Sequence, residues 1–130
     1  MAHILLVDDD AELVTRNSAA LEADGHAVAT ASTTAEGLVA ARRDKPDLVV
    51  LEALLDGTTA GFDLARTLAH DFPALPLIML SRVDEVISGR ELAMQDRDGG
   101  WMPVARFMEK PVSPDVLVYE VDHLVPEAHR

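Results

Sequence analysis

With 130 residues, 48% hydrophobic, 26% charged and none cysteine, the chain is the size of one globular domain and has no disulfide, thiol nucleophile or thiolate metal site. Its 11 basic and 23 acidic residues give a formal net charge of -12, which repels duplex nucleic acid, and no basic stripe offsets it. The densest basic group, Arg42, Arg43 and Lys45, reads as a solvated helix end. No signal-peptide pattern opens the chain and no apolar run approaches a bilayer span, so a cytoplasmic location is expected.

In chain order, Ile4 to Val7 is a continuous apolar run ending in Asp8-Asp9-Asp10, the pattern of a strand buried on both faces. Asp10 caps a helix over about 11–23, which Asp24-Gly25 closes with glycine as the natural stop. Residues 27–30 read as a weaker second strand. Thr33 and Glu36 form a capping box opening a helix to about Arg43. Pro46 and Asp47 break that helix, and Leu48 to Leu51 make the third strand, running directly into Glu52.

After a loop at 56–60, Phe62, Ala65, Leu68, Ala69 and Phe72 recur at helical spacing. Leu77 to Leu80 form a fourth buried strand ending at Ser81. A helix over about 84–94 is interrupted by Gly89, and 95–105, with two glycines and a proline, has no period and reads as a loop. A short fifth strand, Arg106 to Glu109, leads to Lys110-Pro111. Ser113 then caps the last helix, with Pro114 at its first position and Leu117, Val118, Val121 and Leu124 inside. Strict β/α alternation predicts a three-layer α/β sandwich around a five-stranded parallel sheet, as a single domain over 1–130.

In a parallel sheet all strand C-termini open onto one edge, where open α/β folds place their chemistry. That edge gathers Asp8 and Asp9 from the first strand, Glu52 from the third, Ser81 from the fourth and Lys110 from the fifth. Carboxylates suit a divalent cation such as magnesium. A hydroxyl and an ammonium suit the phosphoryl oxygens that such a cation leaves free. The histidines His3, His26, His70, His123 and His129 show no ligand spacing and read as surface or sheet-rim residues, and Asp71 and Asp122 as members of polar helix faces.

With these residues placed, the whole chain resembles the receiver domain of two-component response regulators, the CheY-like superfamily. Leu5-Leu6-Val7-Asp8-Asp9-Asp10 is similar to the family's acidic pair after strand one, and Pro46 to Glu52 to its phosphoacceptor strand. Ser81 matches the strand-four Ser/Thr, and Glu109-Lys110-Pro111 the strand-five lysine followed by a cis-linked proline. Phe107 matches the aromatic switch position. The resemblance implies a flavodoxin-like fold with strand order 2-1-3-4-5. It also implies Mg2+ held by Asp9, Glu52 and the carbonyl of Leu54, with Asp8 assisting. Phosphorylation in such proteins moves the equivalents of Ser81 and Phe107 and remodels the face made by the fourth helix, fifth strand and fifth helix. That face can also support a homodimer.

Two departures set this chain apart. Glu52 stands where the family has aspartate, and its extra methylene displaces the carboxylate by about a bond length. In-line transfer demands placement to about an ångström, so phosphorylation at position 52 is expected to be absent or impaired. Glu52 then either imitates the phosphorylated state, by reaching Ser81 or Lys110, or pairs permanently with Lys110. The second departure is the long segment at 95–105 carrying Trp101 and Met102, read either as a partner-docking element or as a cover for the preceding helix. Asp56, where the family often has proline, reads as a solvated turn residue.

The function expected is therefore a stand-alone, non-enzymatic pseudo-receiver in a phosphorelay, acting by protein–protein contact with a histidine kinase or an effector and touching neither nucleic acid nor membrane directly. A conventional phosphorylatable single-domain regulator is the alternative. A haloacid-dehalogenase-like phosphatase is more remote: Asp8 and Asp10 suit its aspartyl pair, but Glu12 stands where that family prefers Thr or Val. A dinucleotide-binding module fails for want of a G-x-G-x-x-G after the first strand.

Overall fold

In the computed structural model, residues 2–55, 60–81 and 104–125 are described. The expected helix at 84–94, the turn holding Asp56, and Trp101 and Met102 lie outside them. Five strands, β1 (His3–Val7), β2 (Ala27–Ala31), β3 (Leu48–Glu52), β4 (Leu77–Ser81) and β5 (Arg106–Glu109), form one sheet in the order β2-β1-β3-β4-β5. Every neighbouring pair is parallel. The flavodoxin-like topology is thus as expected; β1 to β4 each run one residue beyond their predicted bounds and β5 matches them.

Among the described residues four helices cover the sheet: α1 (Ala11–Ala23), α2 (Thr34–Arg43), α3 (Ala60–Asp71) and α4 (Pro114–Leu124). Because strand side chains alternate between faces, the sheet divides its apolar residues into two cores. Ile4, Leu6, Leu48, Val50, Ile78 and Leu80 meet Leu13 and Leu21 of α1 and Leu117 and Val121 of α4. On the other face Leu5, Val7, Val49, Leu51, Leu77 and Met79 meet Ala41 of α2 and Phe62, Ala65 and Leu68 of α3. The central strand β3 is buried along its whole length. Each such Val or Leu stabilises the fold by about 1.5–3 kcal/mol relative to an exposed position.

The helix ends follow the local signals, with one exception. Asp10 accepts the Leu13 amide at 3.2 Å, and Thr33 accepts the Glu36 amide at 3.1 Å. The Glu36 carboxylate closes the second half of its box on Ser32, whose amide lies at 3.5 Å, rather than on the Thr33 amide. Gly25 takes φ +95 at the stop after α1, a conformation that side chains strain. The exception is Ser113, which occupies the cap position of α4 without a side-chain cap bond. Pro114, at the first helical position, lacks only an amide hydrogen that would have no intrahelical partner there, and its fixed φ suits the helix start. The Lys110–Pro111 peptide is cis.

Candidate functional site

Main-chain bonds carried past the strand ends hold the carboxyl edge in place. The Asp8 amide donates to Ala31 O at 3.0 Å, the Ala53 amide to Leu80 O at 3.1 Å, and the Lys110 amide to Ser81 O at 2.7 Å. The two-residue pleat then decides which side chains can meet. Asp8, Glu52 and Lys110 continue the parity of Leu6, Val50 and Met108, the residues that face α1 and α4. Ser81 and Phe107 continue the parity of Met79, and Phe107 packs half-buried against the other core.

Accordingly the Lys110 ammonium makes an ion pair with Glu52 Oε2 and lies 3.1 Å from Asp8 Oδ2. The inner carboxylate oxygens are engaged by the backbone. Asp8 Oδ1 accepts the Asp10 amide at 2.9 Å and Glu52 Oε1 accepts the Leu54 amide at 3.3 Å. Asp8 and Glu52 are 5% and 4% exposed, so burial is the main force pushing both carboxyls above their usual range. Lys110 and the two amides offset part of that. For Lys110, burial works against the charge, but the bond to Glu52 and the fields of Asp8 and Glu52 outweigh it and raise the ammonium above its ordinary value. One ammonium facing two buried carboxylates leaves an unbalanced negative charge.

Asp9 stands exposed at the rim of an open cleft of about 290 Å³ that runs past Thr15, Ser32 and Glu36. Of the candidate residues, then, Asp8, Glu52 and Lys110 come together, Asp9 lies beside them, and Ser81 and Phe107 sit on the opposite parity. As a test of fit for a divalent cation, the oxygen donors are of the right kind for magnesium. Both buried carboxylates, however, present their outer oxygens to Lys110. Among the described residues only Asp24, His26 and Asp122 bring three ligand atoms within 4.8 Å of one another. As arranged, the cation at the pocket is the ammonium of Lys110.

Two features escaped the sequence reading. Gly61, in the first turn of α3, lies so close to β3 that an added Cβ would sit 2.0 Å from Glu52 O and 2.5 Å from Ala53 O. Its position just inside a helix that follows the acidic strand end was the available signal. The second is His26, expected at the surface or rim: it is only 6% exposed and groups with Asp24 and Asp122. Since 96 residues separate it from Asp122, no local pattern could bring them together.

The topology and the acid–lysine mouth define a receiver-type α/β protein. The chain belongs to the response regulator receiver domain family, whose profile matches residues 4–122. It is 31% identical over 125 residues to Protein PilH of Pseudomonas aeruginosa, covering 94% of this chain and 96% of that one. It is 31% identical over 127 residues to the transcriptional regulatory protein GlrR of Escherichia coli, covering 98% of this chain but spanning only 27% of that protein's length. Among solved structures it is similar to a response regulator receiver domain protein from Clostridium thermocellum, with TM-score 0.80, 25% identity and coverage of 95% and 94%. NtrX from Brucella abortus gives TM-score 0.81 and 26% identity over 95% of this chain and 27% of that one.

Proposed function

We propose that this chain is a stand-alone pseudo-receiver: a signalling module of a two-component or phosphorelay system that acts by protein–protein contact and does not accept a phosphoryl group at position 52. The observation that carries this reading is the ion pair between Glu52 and Lys110, with Asp8 as the ammonium's second partner. Of the two roles open to Glu52, we favour the fixed pair with Lys110, because Asp8 shares the same ammonium and the Leu54 amide holds the other glutamate oxygen. The stand-alone character is supported by the end-to-end match to PilH.

In this reading no residue is catalytic, and Lys110 takes the position of the cation. Magnesium enters only in competition with that ammonium, and its ligands would then be Asp8, Asp9, Glu52 and the Leu54 carbonyl. The cation would supply charge neutralisation at the mouth. Output passes through protein partners, a histidine kinase or a downstream effector. The exposed Val116 and Tyr119 of α4 supply apolar contact area for a partner or a second copy.

The test is incubation with a small-molecule phosphodonor and magnesium, followed by intact mass and peptide mapping. No adduct at Glu52 is expected. A stoichiometric phosphoryl adduct mapped to Glu52 would overturn the proposal in favour of a conventional phosphorylatable regulator.

A further inference from the structure

At the opposite edge of the sheet, where the strands begin, three segments distant in sequence meet around one buried imidazole. His26 precedes β2; its Nε2 lies 2.8 Å from Asp122 Oδ1 on α4 and 3.1 Å from Asp24 Oδ2 at the end of α1. Its Nδ1 accepts the Ala2 amide at 3.2 Å. That last bond settles the tautomer. An N–H aimed at Nδ1 requires a lone pair there, so in the neutral ring the proton resides on Nε2 and is offered to the two carboxylates.

The same bond argues against a metal ion, because Nε2 has no lone pair left to ligate one while Nδ1 serves the backbone. The cluster therefore holds two carboxylates, within 4.8 Å of each other, around a single N–H. Among the described residues the side-chain nitrogen within ion-pair distance of Asp24 and of Asp122 is His26 Nε2 alone. Just before β1 the Ala2 amide faces the ring; the neighbouring His3 side chain is directed to Asp44, at 3.8 Å. From α4, beside Asp122, His123 turns outward, stacking on Tyr119 with ring centroids 4.1 Å apart and donating to the Tyr119 carbonyl. Among the described residues no Lys or Arg pairs with either carboxylate, so the two acids face a single ring donor.

We propose that Asp24, His26 and Asp122 form a proton-held clasp that fastens the C-terminal end of α4 to the α1–β2 corner, closed when one carboxyl is protonated and loosened as that proton leaves with rising pH. The Asp24 carboxyl is raised above its usual range, first by the neighbouring Asp122 and then by burial. The sign follows. A carboxyl raised by folding contributes stability that is complete below its unfolded value and is lost as pH climbs through the folded one. Loosening releases one proton to solvent and leaves two carboxylates facing each other across one donor. Because α4 begins four residues after Lys110 and ends at the clasp, the clasp sets how firmly this helix is held at the far end from the acid–lysine pocket.

The experiment is hydrogen–deuterium exchange of the α4 amides on the full chain, corrected for intrinsic exchange, from the ordinary carboxylate value of about 3.9 upward to about pH 8.5. In the wild type, protection of the last turn of α4 is expected to fall by about tenfold across that range. Asp122→Asn keeps an oxygen acceptor for Nε2–H and removes the second charge. It should hold protection constant to within about twofold, and Asp24→Asn should do the same. A pH dependence that survives in both variants would overturn the clasp. So would zinc chloride raising the Tm of chelator-treated wild type but not of His26→Gln, since the cluster would then be a metal site.

Discussion

The charged ends of Lys110 and Glu52 meet across the mouth of the sheet, with β4 lying between the strands that carry them. The contact bridges two non-adjacent strands, so it depends on the full reach of both side chains. It also leaves Asp8 dependent on the same ammonium.

Removing that ammonium is the direct test of its weight. Lys110→Met retains most of the aliphatic stem and strands two buried carboxylates. Breaking one partner from a buried pair costs about 3–5 kcal/mol, and urea unfolding at neutral pH should show a loss of that order. Lowering the pH should recover part of it, because protonating Asp8 or Glu52 removes the uncompensated charge.

Asp8→Asn should behave in the opposite way. Burial raises both Asp8 and Glu52, so their protonated forms favour the fold. Their contribution is complete below the ordinary values of 3.8 and 4.5 and is lost as pH rises through the raised ones. Asparagine removes the surplus charge and should stabilise the protein at pH 7 by about 1 kcal/mol, while flattening the rise in stability on acidification. Lys110, raised from 10.5, contributes on the alkaline side: its share is intact below that value and is lost only as pH passes the raised one. Thermal melts from acid to alkaline pH check both signs.

Gly61→Ala places a methyl group against the backbone oxygens of Glu52 and Ala53. Main-chain atoms cannot rotate aside, so the start of α3 must shift away from β3. A loss of about 1–3 kcal/mol is expected, together with a displaced Glu52 signal in NMR spectra. Gly25→Ala strains a positive φ and should destabilise by about 1 kcal/mol without touching that signal.

Glu52→Asp withdraws the carboxylate by one methylene and slackens the reach to Lys110. If side-chain length is what bars transfer, this variant should gain a phosphoryl adduct from a small-molecule donor that the wild type does not. Intact mass measurement reads the difference.

How far the residues alone disclosed this arrangement depended on range. The strands, the alternation and the caps at Asp10 and Thr33 are local, and the fold was legible from them. The meeting of Asp8, Glu52 and Lys110 at one edge followed from parallel topology. Which of the candidates share a face did not follow from strand ends alone; it required the pleat parity that separates Ser81 and Phe107 from the acid–lysine group. His26 was beyond reach because its partner is supplied by the far end of the chain, and histidine on a short polar turn carries no sign of burial. Ser113 occupies the cap position its residue type suggested, but its side chain makes no cap bond.

The close seat of Gly61 on β3 has one more consequence. The turn of α3 rests on the carbonyl oxygens of Glu52 and Ala53 rather than on the glutamate side chain. The carboxylate at that position can therefore be lengthened or shortened while helix and strand keep their mutual placement. Helix placement and side-chain length are separable at this point of the chain, so aspartate and glutamate can be exchanged there without rebuilding the protein around them.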